Sequence, residues 1–199
     1  VTDHVGHPSL IAYVAINESW GVQGINNDPD LQAFTRSLYD MANRIDWTRP
    51  ALSNEGWEHT CSDILAIHHY AENGAELLKQ LSGVKAALKS EGNYEIYVKR
   101  KAFAGDYHYS GQPIMMSEFF GACFEKDAKM GWGYGCTIKS VSAYLRRYRS
   151  LLKAIKKLGC CGYCATQFAD TYQEKNGFVD EKRVPKVSLE AIKRANKSF

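Results

Sequence analysis

The sequence predicts an α/β protein built from βα units around a parallel sheet. Short apolar runs bounded by turn residues recur along the chain, as buried parallel strands do. Helical stretches with an apolar stripe lie between them. Polar side chains follow the strands at their carboxyl ends, where α/β proteins place their active sites. The pattern is typical of either a doubly wound sheet or a barrel.

The first half of the chain begins with a continuous apolar run at 10–16, which predicts a buried strand. Asp28 and Pro29 then predict a helix start, because Asp caps an amino terminus and Pro fits the first helical position. One face of this helix carries apolar residues at helical spacing: Leu31, Phe34, Leu38, Met41 and Ile45. Two further short strands are predicted at 51–53 and 62–68.

In the second half, residues 72–89 are predicted to be helical and 90–111 irregular. A fourth strand is expected at 113–117 and a fifth at 161–168. The long helix between them has a clear apolar stripe, formed by Val141, Tyr144, Leu145, Tyr148, Leu151, Leu152 and Ile155. A last helix is expected at about 188–196, with Leu189, Ile192 and Ala195 facing inward.

The composition indicates one globular domain, residues 1–199. The 199 residues are 45% hydrophobic and 24% charged, with a net charge of +3, which is enough to bury a sizeable core. The densest basic stretch, 139–157, lies on the striped helix and therefore favours a solvated face over a nucleic-acid surface. No apolar run approaches the ~18 residues that would span a bilayer. We expect neither a nucleic acid nor a membrane as partner.

Six cysteines raise the alternatives of disulfides or a metal site. The close cluster, Cys160, Cys161 and Cys164, lacks a second pair at zinc spacing and a nearby histidine. It also falls in an apolar run, where cysteine behaves as a small hydrophobe. We therefore expect reduced, buried cysteines, a cytoplasmic protein, and neither a metal nor a cofactor.

Two glutamates follow buried strands, Glu18 after the first and Glu118 after the fourth. Glycoside hydrolysis with retention uses such a pair about 5–5.5 Å apart, one as general acid and one as nucleophile. Either glutamate alone is better explained as an N-cap or surface carboxylate that merely ends its strand. The two together, each flanked by aromatic residues, are as well explained by catalysis.

Four motifs in order extend this interpretation. They are HPSLIAYV followed by NESWG (7–21), NEGWEHT followed by SDIL (54–65), PIMMSEF (113–119), and GYCATQFAD followed by QEKNG (162–177). Together they resemble glycoside hydrolase family 2, which includes β-galactosidases, β-glucuronidases and β-mannosidases. The resemblance runs from about residue 4 to 196 and implies strands four to eight of a (β/α)8 TIM barrel.

The resemblance also implies roles for single residues. Glu118 is expected to be the nucleophile of a retaining, β-galactosidase-like enzyme, and Glu18 its general acid/base. Asn17 is expected to bind the sugar 2-hydroxyl, and Tyr70 to keep Glu118 ionised. The remaining substrate-binding candidates are Trp57, Glu58, Trp132 and Gln167, with Trp57 and Trp132 as platforms for a β-glycoside substrate. His68 and His69 are expected to be satisfied histidines and not metal ligands.

Some positions depart from the family pattern. Thr166 stands where many members have tryptophan, Phe120 where many have glycine, and the Asn-x-Lys signature of glucuronidases is not evident. Five strands also cannot close a barrel. We therefore expect little activity from this chain alone, and completion by a homo-oligomer or by a missing N-terminal half. The alternative is an inactive fragment that serves as a binding or interaction module.

Overall fold

The computed structural model describes residues 1–124 and 131–199. Its elements, in chain order, are a 3-10 helix Thr2–His4, β1 Tyr13–Val14, α1 Pro29–Ile45, β2 Ala51–Leu52, β3 Leu65–His69, α2 Gly74–Leu81, α3 Val84–Glu91, β4 Glu95–Tyr97, β5 Arg100–Lys101, β6 Ile114–Phe120, α4 Val141–Leu158, β7 Gly162–Thr166 and α5 Leu189–Asn196. The chain divides into two compact units. Unit 1 comprises Val1–His68 and Gly83–Ser117, and unit 2 comprises His69–Ser82 and Glu118–Phe199.

The predicted α/β class is confirmed, and a strand is present at each of the five predicted positions. β1, β2, β3 and β7 are shorter than predicted, whereas β6 runs from Ile114 to Phe120 and so includes Glu118, which was expected just after it. β1 and β2 form a parallel pair in which Tyr13 lies opposite Ala51. β3, β6 and β7 form a second sheet with β6 in the middle. Across 1–124 and 131–199 the strands thus belong to separate sheets that are not closed, and the expected barrel is not shown.

Helix α1 begins where the sequence predicts. The Asp28 carboxylate accepts hydrogen bonds from the backbone N–H groups of Asp30 at 2.9 Å and Leu31 at 3.2 Å, and Pro29 is the first helical residue. The apolar face is different from the prediction, because Phe34 and Met41 are 49% and 58% exposed. The buried residues of α1 are Thr35 and Ala42. A helix buries only the side on which another element packs, so this apolar face remains open in unit 1.

One local prediction is confirmed with a break, and another was wrong. Residues 72–89 form two helices, because the chain breaks at Ser82 and Gly83 between α2 and α3. The stretch predicted to be irregular contains the antiparallel hairpin of β4 and β5, with Glu95 opposite Lys101. Its strands are only two or three residues long and partly charged, so they carry no alternating pattern that the sequence could reveal.

Unit 2 is organised around α4. The Ser140 hydroxyl caps this helix at the Ala143 N–H, and Gly159 ends it in the left-handed conformation, with φ of 69°. Helix α2 packs closely on α4, since a Cβ on Gly74 would lie 2.1 Å from the Ser150 carbonyl oxygen. Tyr148 of α4 donates a hydrogen bond to Asn196 of α5 at 2.8 Å.

The end of β6 is fixed by aromatic packing within unit 2. Phe119 and Phe120 are fully buried. Phe120 meets Tyr144 edge to face at 4.8 Å, and Phe119 stacks on Tyr148 at 5.9 Å. Aromatic pairs of this kind stabilise a fold beyond their buried area, so the backbone that carries Glu118 is anchored.

The prediction of buried cysteines was wrong in most positions. None of the six cysteines forms a disulfide, but Cys123 alone among them is buried, whereas Cys136, Cys161 and Cys164 are exposed. Cys164 lies in β7, which forms an edge of its sheet and has no fully buried residue. Within the described ranges, no helix combines the length and apolar character needed to cross a membrane.

Candidate active site

The backbone at Glu18 is fixed by the chain that follows β2. The Glu18 N–H donates to the Glu55 carbonyl at 3.0 Å, and the Glu55 N–H donates to the Ile16 carbonyl at 2.8 Å. These bonds extend the β1–β2 pairing by a bridge between Asn17 and Glu55. Glu18 itself has a left-handed backbone, with φ of 52°. A non-glycine residue in that region is uncommon and marks a tightly specified turn.

The Glu18 side chain binds a histidine at the end of β3. Oε1 of Glu18 lies 2.8 Å from Nδ1 of His68, whose side chain is fully buried. On the other side of the ring, Nε2 of His68 lies 3.7 Å from Oε1 of Glu55. We call Glu18, Glu55 and His68 the Glu18 cluster.

Trp57 and Glu58, predicted to bind substrate, are enclosed in unit 1. Trp57 stacks on Tyr97 at 5.7 Å, meets His68 edge to face, and is only 7% exposed. Glu58 is 3% exposed and accepts hydrogen bonds from Asn26 at 2.7 Å and Arg100 at 3.1 Å, and also from the Ser19 hydroxyl. These contacts favour a role in holding the loop, and substrate binding by either residue stays a prediction.

Glu118 lies in unit 2 beside the tyrosine that the resemblance associates with it. The Tyr70 hydroxyl donates a hydrogen bond to Oε2 of Glu118. Burial first, and then this hydrogen bond, raise the pKa of Tyr70 above its ordinary value of 10. The phenol therefore remains protonated at neutral pH and acts as a permanent donor to the carboxylate.

Tyr70 is held in place by its neighbours. Its ring stacks on Tyr134 with centroids 3.5 Å apart and planes 7° apart. A Cβ on Gly121 would lie 2.4 Å from the Tyr134 ring and 3.0 Å from the Tyr70 ring, and Gly121 has φ of +53°. Only glycine fits this position without displacing the stack. We call Glu118, Tyr70, Tyr134 and Gly121 the Glu118 cluster.

The other predicted substrate-binding residues lie outside the named strands and helices. Trp132 is 50% exposed and meets Tyr134 edge to face at 5.6 Å, so much of its ring is open to a ligand. In unit 2, Gln167 follows β7, and its Nε2 is buried without a hydrogen-bond partner among the described residues. Asn17 in unit 1 lies in the bridge to Glu55.

Sequence reasoning named both glutamates and Tyr70 as site residues, which stays a prediction. It did not name Glu55, which lies near His68, or Tyr134, which stacks on Tyr70. It took His68 to be a satisfied histidine, which stays a prediction, and it did not identify Glu18 as the carboxylate beside Nδ1 of His68. The sequence did hold a signal that His68 lies near the site, since it stands two residues before Tyr70 at the same strand end. The spacing of fifty residues between His68 and Glu18 gave no indication of their contact.

Comparison with known proteins places the fold near a glycosidase. No protein-family profile and no curated protein sequence matches the chain. Among solved structures, it is similar to a β-glucuronidase from Parabacteroides merdae that was determined with glycerol in its active site. The TM-score is 0.58 at 16% sequence identity, and the match covers 98% of this chain. The chain spans about a quarter of that enzyme's length, since 26% of it is covered. At this identity the likeness shows a common fold and does not define a substrate.

Proposed function

We propose that this chain carries the two catalytic carboxylates of a retaining β-glycosidase of the β-galactosidase type. The observation that carries the proposal is the hydrogen bond from the partly buried Tyr70 hydroxyl to Glu118. A nucleophilic carboxylate must be ionised and oriented, and a donor that stays protonated at neutral pH supplies both conditions. The position of Glu18 after β1, that of Glu118 near the carboxyl end of β6, and the glycosidase fold of the structural neighbour support the same proposal.

The reaction proceeds in two steps. Glu118 attacks the anomeric carbon, and the bond to the leaving oxygen breaks while Glu18 donates its proton to that oxygen. A water molecule then attacks the same carbon. Glu18 takes a proton from this water, and the bond between the sugar and Glu118 breaks. Two inversions give overall retention, and both glutamates return to their starting states.

Asn17 and Trp132 are the residues that we assign to substrate binding. Asn17 hydrogen-bonds the 2-hydroxyl of the sugar, and the half-exposed Trp132 offers a ring for sugar stacking. The preference for a β-galactoside rests on the sequence resemblance. The structural neighbour is a β-glucuronidase, and the absence of an evident Asn-x-Lys signature from this sequence argues against a uronic acid as substrate.

Azide rescue tests both assignments at once. With 2,4-dinitrophenyl β-galactoside, Glu118→Ala should lose turnover, and azide should restore it with α-galactosyl azide as product, because a single inversion remains. Glu18→Ala with azide should give the β-azide, because the glycosyl-enzyme still forms. Glu18→Ala should also lose most activity on substrates with poor leaving groups, which depend on the proton.

Glu190→Ala is the matched control, because this glutamate lies on α5 with a side chain that is 68% exposed. It should hydrolyse every substrate like the unaltered chain. If Glu118→Ala retains full turnover, or its azide product is the β-anomer, Glu118 is not the nucleophile.

The exposed apolar face of α1 and the edge strand β7 favour a second candidate. In it the chain is an incomplete barrel that acts only after association with a second copy or with further barrel strands. Unpaired strand edges and large apolar patches commonly mark such association. Light scattering should then show oligomers and little turnover by the isolated chain. A stable monomer that hydrolyses aryl β-galactosides at ~1–10³ per second would exclude this candidate.

A further inference from the structure

His68 of the Glu18 cluster is a buried titratable group that the mechanism above does not use. Its side chain is fully buried, whereas those of Glu18 and Glu55 are 20% and 22% exposed. Burying an imidazole costs free energy unless its nitrogens are satisfied. Here the 2.8 Å contact between Nδ1 and Glu18 is a full hydrogen bond, whereas the Glu55 carboxylate lies 3.7 Å from Nε2, beyond hydrogen-bond distance.

The ring is held so that Nδ1 keeps its direction. A Cβ on Gly56 would lie 2.9 Å from both Cγ and Nδ1 of His68, so the glycine lets the loop backbone approach the imidazole. Trp57 contacts the ring edge to face at 5.8 Å, and the backbone N–H of His68 donates to the Gly56 carbonyl at 3.3 Å. Because the His68 ring is enclosed in this way, it has a fixed direction and can orient the Glu18 carboxylate that it contacts.

We propose that His68 is a positioning residue that keeps a proton on Nδ1 and donates it to Oε1 of Glu18. Oε1 is then occupied as an acceptor in both steps, and Oε2 is the atom that gives the proton to the leaving group and takes one from water. The His68 proton stays on Nδ1 throughout, so no proton is gained or lost by the ring. This inference rests on the proposed function for its catalytic consequence.

The role of Glu55 follows from its distance. Its Oε1 is 3.7 Å from Nε2, which is too long for a hydrogen bond but close enough for electrostatic attraction. Glu55 therefore favours any positive charge that the ring takes up, and Glu55→Gln should have a smaller effect than any loss of the Nδ1 donor.

The proton position can be measured without activity. In the 199-residue chain with 15N-labelled histidine, Nδ1 of His68 should have the chemical shift of a protonated nitrogen at neutral pH. The signal is assigned by its loss in His68→Asn. Glu18→Ala should change that shift because the acceptor is gone, whereas Glu190→Ala should leave it unchanged. An unprotonated Nδ1 in the unaltered chain overturns the inference, whatever its activity.

The catalytic consequence is tested by a matched pair of variants. In His68→Asn the amide nitrogen replaces Nδ1 and retains the donor, whereas in His68→Gln the amide nitrogen replaces Nε2. For phenyl β-galactoside, a poor leaving group, His68→Gln should lose about 10–100-fold in kcat/KM, as expected for a hydrogen bond to a charged group. His68→Asn should retain most of the activity. With the 2,4-dinitrophenyl substrate the two variants should differ little.

The failure of this inference is distinguishable from failure of the proposed function. Equal losses in the Asn and Gln variants on both substrates would show a merely structural His68, while azide rescue of Glu118→Ala would still support the glycosidase. A chain that fails the azide test but has a protonated Nδ1 would keep the His68–Glu18 hydrogen bond without its catalytic use.

Discussion

Replacing Tyr70 with phenylalanine removes one hydroxyl group from the Glu118 cluster and leaves the ring. The new ring retains the stack on Tyr134 at 3.5 Å and the space beside Gly121. What is lost is the hydrogen bond to Glu118. A hydrogen bond to a charged group is worth about 1.5–3 kcal/mol. If Glu118 is the nucleophile, kcat/KM should fall by about 10–150-fold, at roughly 1.4 kcal/mol for each factor of ten.

The assay uses 2,4-dinitrophenyl β-galactoside, whose first step depends least on proton donation. The acid limb of the pH profile for kcat/KM should also move to higher pH, because the ionised form of Glu118 has lost its donor. Tyr148→Phe is the matched control, since it removes another buried hydroxyl, the one that binds Asn196. It should lower the stability of unit 2 and leave kcat/KM per folded molecule unchanged. If Tyr70→Phe loses no more activity than Tyr148→Phe, Tyr70 does not support Glu118.

Three further predictions concern stability and binding. Burial lowers the pKa of His59 from 6.5 to about 4. The folded chain therefore binds a proton at His59 less tightly than the unfolded chain does. The stability that is present above pH 6.5 is lost as the pH falls towards 4. Urea titrations should show a loss of about 2 kcal/mol between pH 7 and pH 5, and His59→Gln should remove that contribution. Gly74→Ala should destabilise the chain by about 1–3 kcal/mol, because its Cβ would overlap the Ser150 carbonyl; Gly162→Ala, where nothing lies within 4 Å, should cost less in the same titration. Trp132→Ala should raise KM with little change in melting temperature, because the ring is half exposed; an unchanged KM would remove it from the sugar site.

Local chemistry made some of the fold predictable. Asp28 and Pro29 specify the start of α1 through capping and a fixed backbone angle, neither of which depends on distant residues. The apolar stripe of α4 predicted a helix that the structure confirms. The position of Tyr70 beside Glu118 could be expected because both residues belong to recognisable motifs at strand ends.

The exposure of the apolar face of α1 and the pairing of His68 with Glu18 depend on tertiary contacts that could not be predicted from the sequence alone. The apolar residues of α1 predicted a buried face, but burial requires a partner element, and Phe34 and Met41 have remained exposed. The hydrogen bond between His68 and Glu18 joins residues fifty positions apart. Each residue has an ordinary local explanation, so only the folded chain reveals the pair.

Covalent labelling of Glu118 tests the proposed retaining mechanism most directly. A 2-deoxy-2-fluoro-β-galactoside with a 2,4-dinitrophenyl leaving group forms the glycosyl-enzyme and then hydrolyses slowly, so long incubation detects even a slow first step. After proteolysis, mass spectrometry should find the fluorosugar on the peptide that contains Glu118, with fragmentation placing it on that carboxyl group. The Glu118→Ala chain should remain unlabelled. An unaltered chain that takes up no label, or carries it on Glu18 or another residue, would contradict the assignment of Glu118 as the nucleophile.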